Sequence, residues 1–301
     1  MYPRFLEIEI TGRCAYRCKH CYGSFPRAGE LSTATVLRVL REARGLFDCV
    51  IFSGGEPLLH DGLADMVAAA SREFAVFITT SGSGLTETLL KRIQGQAVLV
   101  FGMDGIGETH DRYRESPGAF ARLVHCLEMT RQLPTEIIVT LWRDVIPEID
   151  RIISFASAYT TILHFNGLIP VGRARLNRHL MPDRETLERT DVYLHELKRT
   201  MGWVVTDLHR VTESDRMTGI ELFCKGRYNI TPRGDVRPCE FHRAVLGNIY
   251  QRPLPDIIAA ARDTELIRSR EEGFIRHVRT DLDNPYDYHT TICHCLEGAG
   301  V

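Results

Sequence analysis

The chain has 301 residues, of which 44% are hydrophobic and 25% are charged, and its formal net charge at pH 7 is −2. That length suits one large domain with a small one, or two modest domains. The near-neutral balance excludes bulk electrostatic attraction to nucleic acid or to an anionic membrane. Neither a signal-peptide core nor an apolar run long enough to cross a bilayer is present in the sequence, so we expect a cytoplasmic protein without nucleic-acid or membrane partners.

Short β-like runs alternate with helical patterns through the first two-thirds of the chain. The predicted strands lie at 6–10, 49–52, 75–79, 97–101, 136–141 and 161–165, and the predicted helices lie at 31–47, 63–70, 86–93, 119–132 and 146–158. This alternation is typical of a parallel sheet with crossover helices. About six strand–helix units fit before residue 180, which favours an α/β fold with a partial (β/α)6 barrel over a closed eightfold one.

The regular alternation of strand and helix patterns ends in the last third of the chain. A polar, amphipathic helix is predicted at 181–200, and glycines, prolines and the remaining cysteines accompany shorter elements from residue 220 onward. We therefore predict three regions: a core domain at 1–180, a helical bridge at 181–219 and a small extension at 220–301.

Seven of the nine cysteines lie in groups, which in a cytosolic chain indicates metal binding or catalysis and not a disulfide framework. Cys14, Cys18 and Cys21 lie directly after the first predicted strand, at the strand end where α/β folds build active sites. Three thiolates can bind three irons of a 4Fe–4S cube and leave the fourth iron open, as in a catalytic site. The alternative is a zinc site with a distant fourth ligand. Cys49 and Cys126 are isolated, and we interpret them as small buried hydrophobic residues.

The spacing of the clustered cysteines resembles the signature of the radical S-adenosylmethionine (SAM) superfamily, and further motifs follow in that family's order. Ser53–Pro57 resembles its GGEP motif, and Thr80–Gly82 resembles its Thr-Asn-Gly motif with serine in place of asparagine. Three further stretches resemble motifs of one large subgroup: Met103–Gly105 its Ile-Asp-Gly motif, Thr109–Arg114 its Thr-His-Asp-x-x-Arg motif, and Leu168–Ala174 the exit of its sixth strand. For 103–105 and 109–114, a strand end followed by a capped helix explains much of the pattern.

The resemblance implies that the three cysteines are the catalytic cluster ligands and that other motif residues contact SAM. The implied SAM contacts are His20, Gly54, Gly55, Glu56, Pro57, Ser81, Asp104 and Arg173. His20 stands where the family usually has an aromatic residue near the adenine. The glycines let backbone approach the ligand, and Glu56 can accept a hydrogen bond from the SAM ammonium group. Arg173 faces either the SAM carboxylate or solvent.

A second metal site is predicted in the C-terminal region. Cys224 and Cys239 flank a predicted β-hairpin at 228–236, a spacing that resembles the opening of SPASM and twitch extensions, which bind auxiliary clusters. Together with Cys293 and Cys295 they supply four thiols, enough for one closed 4Fe–4S cluster. This last pair is spaced CxC, whereas the usual spacing is CxxC. Two alternatives therefore stay open: both thiols bind the cluster, or only one of them does. A small zinc site is the alternative.

The resemblance implies an enzyme in which a donor such as flavodoxin or ferredoxin reduces the first cluster. SAM is then cleaved to methionine and a 5′-deoxyadenosyl radical, which removes a hydrogen atom from the substrate. The subgroup favours maturation of a ribosomally made peptide by epimerisation, crosslinking or oxidation. The alternative is dehydrogenation of a small molecule such as a sugar or aminocyclitol. A non-catalytic metal-binding or electron-transfer protein ranks below both, since it leaves Gly54–Glu56 without a purpose.

The position of the cysteine cluster bears on how a peptide would be bound. The cluster begins after only thirteen residues, so an N-terminal leader-binding domain is not expected. A peptide substrate would therefore bind directly or through a separate peptide-recognition protein.

Overall fold

The computed structural model describes residues 4–23, 29–169, 171–206, 227–241 and 244–262 of the chain. The chain forms two compact units. The first comprises Met1–Arg13, Phe25–Val76 and Arg216–Val301, and the second comprises Cys14–Ser24 and Phe77–Asp215. Each unit is therefore assembled from segments that are distant in sequence.

Strands and helices alternate along most of the described chain. The strands are β1 (Phe5–Thr11), β2 (Cys49–Gly54), β3 (Ala75–Thr80), β4 (Val98–Met103), β5 (Thr135–Leu141), β6 (Ile162–Gly167), β7 (Val204–Thr206), β8 (Arg227–Ile230), β9 (Asp235–Arg237) and β10 (Gly247–Asn248). The α-helices are α1 (Thr33–Ala43), α2 (Leu63–Ala70), α3 (Glu87–Ile93), α4 (Glu108–Arg114), α5 (Ala119–Met129), α6 (Ile149–Ala156), α7 (Arg184–Met201) and α8 (Leu254–Arg262). Short 3₁₀ helices lie at Pro57–Leu59, Ile146–Glu148 and Gly172–Leu180.

The strands of each unit form an open sheet. In the first unit the order is β10-β9-β8-β1-β2, with β1 parallel to both β2 and β8 and with antiparallel pairing among β8, β9 and β10. In the second unit the Phe77–Thr80 part of β3 and the strands β4, β5, β6 and β7 pair in that order, and all are parallel. The predicted α/β fold is confirmed, and within the described residues neither sheet closes on itself, as expected for a partial barrel.

Helix α1 illustrates how the local sequence sets an element and its ends. Ser32 caps the helix, because its hydroxyl accepts a hydrogen bond from the Thr35 N–H at 3.1 Å. Val36 and Leu40 lie on the buried stripe of the helix. The helix ends before the predicted residue 47 because Gly45, with a φ of 71°, takes the left-handed conformation that terminates helices.

Some elements are not evident from the sequence pattern. The strand β7 has three residues, too few for a period-two alternation to be recognised. The 3₁₀ helix at Gly172–Leu180 buries Ala174 alone, so it has no apolar stripe. No helix in the part of the chain that the structure describes is both long enough and apolar enough to span a bilayer.

A buried charge network lies on the polar face of β1. Arg227 Nη2 is 2.5 Å from Glu7 Oε2 and 2.9 Å from Glu240 Oε1, and the Ser53 hydroxyl donates to the other Glu7 oxygen at 2.5 Å. All of these side chains are buried. Burial raises the pKa of Glu9 well above its usual range, and the neighbouring Glu7 raises it further. The network therefore ties β1 to β8 and to the residue that follows Cys239.

Replacing Arg227 by methionine tests this network. Glu7 and Glu240 would lose the cation that they share in a buried site, so we expect the free energy of unfolding to fall by about 3–5 kcal/mol. The matched control is Arg189→Met, because Arg189 pairs with Glu185 on α7 with 68% of its side chain exposed. That loss should be about 1 kcal/mol or less. Urea unfolding followed by circular dichroism measures both, and equal losses would contradict the network's role.

Candidate active site

Three cysteine thiols lie on the loop that follows β1. Cys14 is exposed, Cys18 is buried and Cys21 is intermediate. Burial raises the pKa of the Cys18 thiol to about 11, against the opposing effect of Arg114. Among the described residues, no three His, Cys, Asp or Glu side chains surround a single metal-ion position. A 4Fe–4S cube does not require such a point, because each thiolate binds a different iron, so the donor set fits a cluster.

The C-terminal end of α4 holds the middle of this loop. The Lys19 N–H donates to the Tyr113 carbonyl at 2.9 Å, and the Arg17 N–H donates to the Arg114 carbonyl at 3.4 Å. The last carbonyls of a helix have no partner within the helix, and the loop supplies donors for two of them. Arg114 Nη1 also donates to Cys18 Sγ at 3.6 Å. The segment Thr109–Arg114 is therefore more than a capped helix, because it positions the cysteine loop.

A buried polar group surrounds Arg114. Its Nε lies 2.7 Å from Asp104 Oδ2, and His20 Nδ1 lies 3.6 Å from Asp104 Oδ1. The Asp104 N–H donates to His110 Nδ1 at 3.0 Å, which makes that nitrogen the acceptor and leaves the ring proton on Nε2. The Met103–Gly105 and Thr109–Arg114 motifs thus meet directly through Asp104.

The ionisation of this group follows from burial and pairing. Burial lowers the pKa of His110 to about 3 and also lowers the pKa of His20, so both imidazoles are neutral near pH 7. Burial alone would raise the pKa of Asp104, but the Arg114 guanidinium outweighs it and leaves that pKa below its usual value. The site therefore contains one carboxylate, one guanidinium and two neutral imidazoles.

The segment after β6 contacts the far end of the cysteine loop. The Arg173 N–H donates to the Cys21 carbonyl at 2.9 Å, and Asn177 Nδ2 donates to the Lys19 carbonyl at 3.1 Å. A Cβ on Gly172 would lie 2.4 Å from the Cys21 carbonyl oxygen, so this approach requires glycine. Arg173 Nε is buried and has no hydrogen-bond partner among the described residues, and a carboxylate such as that of SAM would satisfy it.

In the first unit, the two glycines of the GGEP motif pack against the end of β1 and the residues after it. A Cβ on Gly54 would lie 2.3 Å from the Thr11 carbonyl oxygen, and one on Gly55 would lie 2.2 Å from the Arg13 carbonyl oxygen. The Gly55 and Glu56 N–H groups donate to these same two carbonyls, each at 2.7 Å. The close approach that these glycines allow is therefore to the backbone that leads into Cys14.

Glu56 and Pro57 form the start of a short 3₁₀ helix. The Glu56 carboxylate accepts a hydrogen bond from the Leu58 N–H at 3.2 Å, and Pro57 occupies the first turn, where a missing N–H costs nothing. Glu56 is buried, with 1% of its surface exposed. A buried carboxylate suits an ammonium group, which stays the predicted partner of Glu56.

The turn after β3 carries Ser81. Its hydroxyl accepts from the Ser83 N–H at 3.3 Å, so the turn is partly held by its own side chain. Cys126 packs beneath this turn, with its Sγ donating to the Gly82 carbonyl at 3.3 Å. Cys126 and Cys49 are both buried, as the sequence predicts.

The predicted hairpin of the second metal site is confirmed. The strands β8 and β9 pair antiparallel, and Gly234 takes a φ of 84° in the turn between them. Cys239 follows β9 and is buried. The other three candidate ligands, Cys224, Cys293 and Cys295, lie outside the described residues.

Comparison with protein families identifies two regions. Residues 8–156 match the Radical SAM superfamily, and residues 224–287 match SPASM, an iron–sulfur cluster-binding domain. The chain belongs to the radical SAM superfamily. The predicted family and its cofactors are confirmed: a 4Fe–4S cluster with SAM for the core, and auxiliary iron–sulfur binding for the SPASM domain.

Known relatives of this radical SAM protein cover most of its length. An AdoMet-dependent heme synthase from Methanosarcina barkeri is 27% identical over 300 residues, covering 90% of this chain and 86% of the relative. A PqqA peptide cyclase from Granulibacter bethesdensis is 28% identical over 282 residues, covering 86% and 74%. Streptococcus suis SuiB, solved with its precursor peptide SuiA, superposes with a TM-score of 0.70 at 14% identity, covering 85% of this chain and 64% of SuiB. At that identity the SuiB likeness supports the fold alone.

Gly55→Ala tests the packing that precedes Cys14. The new Cβ would collide with the Arg13 backbone, so we expect the iron bound per chain after reconstitution to fall by at least about half, because misplaced ligands bind clusters poorly. The control is Gly95→Ala, where nothing lies within 4 Å of the new Cβ but φ is 73°, so only general backbone strain is introduced. Iron analysis and visible absorption compare the two. Equal iron contents in the two variants would rule out the proposed effect.

Proposed function

We propose that this radical SAM protein is an enzyme that matures a ribosomally made peptide by epimerisation, crosslinking or oxidation. The observation that carries the proposal is the similarity to a PqqA peptide cyclase over 86% of this chain. The fold shared with SuiB, whose structure holds a precursor peptide, is consistent with it. The electron donor in this proposal is a flavodoxin or ferredoxin, and the peptide binds directly or through a separate recognition protein.

We assign the SAM-binding cluster to Cys14, Cys18 and Cys21. When bound there, the cluster and SAM supply a 5′-deoxyadenosyl radical that removes a hydrogen atom from the substrate. The chain's own residues hold and orient these groups. The support is the contacts of the loop, whose backbone is held by α4 and whose thiols include the buried Cys18.

Two charged residues have the chemistry to hold SAM. The Glu56 carboxylate can accept from its ammonium group, and the Arg173 guanidinium, with a buried Nε that lacks a partner among the described residues, can donate to its carboxylate. The remaining proposed contacts are His20, Gly54, Gly55, Pro57, Ser81 and Asp104.

The auxiliary cluster is proposed to use Cys224 and Cys239 together with one or both of Cys293 and Cys295. The SPASM match supports the first two, since it covers residues 224–287. A fully ligated auxiliary cluster suits an acceptor for the electron left on an oxidised substrate, whereas an open iron suits direct substrate binding.

Modification of a heme precursor is a second candidate. Its support is the M. barkeri heme synthase, which is 27% identical over 90% of this chain. Oxidation of a sugar or aminocyclitol stays a prediction from the sequence. The two supported candidates differ in substrate class and not in the radical-generating chemistry.

The substrate class is tested by supplying both probes to the same reconstituted enzyme. One probe is a set of synthetic peptides with the sequences of the short open reading frames that neighbour the gene. The other probe is an iron tetrapyrrole. We expect 5′-deoxyadenosine to rise with a peptide, together with loss of a hydrogen pair or uptake of solvent deuterium in that peptide by mass spectrometry. Product from the tetrapyrrole and none from the peptides would replace the first proposal by the second.

Cys18→Ala is expected to abolish 5′-deoxyadenosine formation, because it removes one of three ligands of the SAM-binding cluster. The matched control is Cys49→Ala, a buried cysteine outside the loop, which should retain turnover. Anaerobic assays with dithionite, SAM and liquid chromatography measure both variants. Wild-type turnover by Cys18→Ala would remove that residue from the cluster.

Cys239→Ala is expected to separate SAM cleavage from product formation. The SAM-binding cluster keeps its ligands, so 5′-deoxyadenosine still forms, while loss of the auxiliary cluster stops the modified product. Cys49→Ala serves as the control, since that thiol is buried and lies outside both proposed cluster sites. Product formed by Cys239→Ala at the wild-type rate would assign the auxiliary site a structural role only.

A further inference from the structure

The guanidinium of Arg114 contacts the buried thiol of the cysteine loop. Its Nη1 donates to Cys18 Sγ at 3.6 Å, while its Nε lies 2.7 Å from Asp104 Oδ2. The Arg114 and Asp104 side chains are only 9% and 2% exposed. A guanidinium in such a site is not screened by water, so it acts strongly on the sulfur beside it.

A space in β4 accommodates this guanidinium. A Cβ added to Gly102 would lie 2.4 Å from Arg114 Nη2, so any side chain at position 102 would displace the guanidinium. Gly102 does not have a left-handed backbone conformation. Glycine is therefore required at this position for space and not for backbone conformation.

The surrounding contacts give Arg114 one position. Asp104 is the ion-pair partner of the Arg114 Nε, and its backbone is fixed by the hydrogen bond from its N–H to His110 Nδ1 at 3.0 Å. Asp111 holds the following segment, because its carboxylate accepts from the Gly118 N–H at 2.6 Å and the Phe120 N–H at 2.7 Å. Because the guanidinium is already fixed by these contacts, its hydrogen bond to the Cys18 thiol costs little additional side-chain entropy.

We infer that Arg114 is a positioning residue that raises the reduction potential of the SAM-binding cluster through Cys18. The cluster gains one negative charge when an external donor transfers one electron to it. A hydrogen bond from a cation to a ligand sulfur stabilises that added charge, and hydrogen bonds to sulfur and burial are known determinants of cluster potentials. The inference rests on the proposed assignment of Cys18 as a cluster ligand and is independent of the substrate.

The experiment is a redox titration of the reconstituted full-length protein, monitored by electron paramagnetic resonance. The signal followed is the one that changes when SAM is added, which distinguishes the SAM-binding cluster from the auxiliary one. Two variants remove the contact in different ways: Arg114→Met removes the cation, and Gly102→Ala keeps every charge but displaces the guanidinium. The control is Arg112→Met, which makes the same charge change on α4 at a side chain that is 52% exposed and paired with Asp144.

For Arg114→Met and Gly102→Ala we expect the ratio of reduced to oxidised cluster at the wild-type midpoint to fall at least tenfold, which is about 59 mV for a one-electron couple. Arg112→Met should keep the wild-type midpoint. If Arg114→Met fails to bind a cluster, Gly102→Ala alone decides, since its iron content and melting temperature report whether the fold and cluster are retained.

Three results would overturn the inference. A wild-type midpoint in an iron-loaded Gly102→Ala or Arg114→Met variant removes the effect of Arg114 and leaves the assignment of Cys18 intact. An equal fall in Arg112→Met attributes the effect to overall charge. A wild-type protein that forms no SAM-sensitive signal contradicts the proposed cluster assignment and this inference with it.

Discussion

The buried ion pair between Arg114 and Asp104 is the interaction on which the cysteine loop depends. A buried charge is tolerated only when it is paired and hydrogen-bonded, and Arg114 meets this condition with one carboxylate and one thiol. Asp104 follows β4 and Arg114 ends α4, so the pair joins a strand, a helix and the loop that carries Cys18. Gly102 leaves space for the Arg114 guanidinium, and His110 fixes the Asp104 backbone by accepting a hydrogen bond from its N–H.

The first unit also contains a buried arginine that is paired with carboxylates. Arg227 is buried between Glu7 and Glu240, and Glu240 is the residue after Cys239. The charged face of β1 is therefore buried as well as its apolar face, which explains how a strand with two glutamates lies within a sheet. In both units a buried arginine–carboxylate pair lies beside a cysteine with a proposed cluster role. Nearby charges and hydrogen bonds to the ligand sulfurs set the reduction potential of an iron–sulfur cluster, so both buried pairs lie where they would act on it.

The sequence predicts those features that are encoded locally. Periodicity identifies most strands and helices, the cysteine spacing identifies the loop, and the hairpin predicted at 228–236 is found as β8 and β9. Contacts between distant residues have no such local signal. Arg114 and Cys18 are 96 positions apart, and Arg227 and Glu7 are 220 apart. The sequence around Arg114 therefore predicts only a capped helix, and its contact with the cysteine loop is evident from the structure alone.

The central claim is that the chain is a radical SAM enzyme with two cluster sites. It is tested most directly by anaerobic reconstitution with iron and sulfide, followed by dithionite and SAM, with 5′-deoxyadenosine and iron measured in the same sample. The account predicts 5′-deoxyadenosine together with about eight irons per chain, as expected for two 4Fe–4S clusters. Absence of 5′-deoxyadenosine, with zinc bound in place of iron, would contradict it.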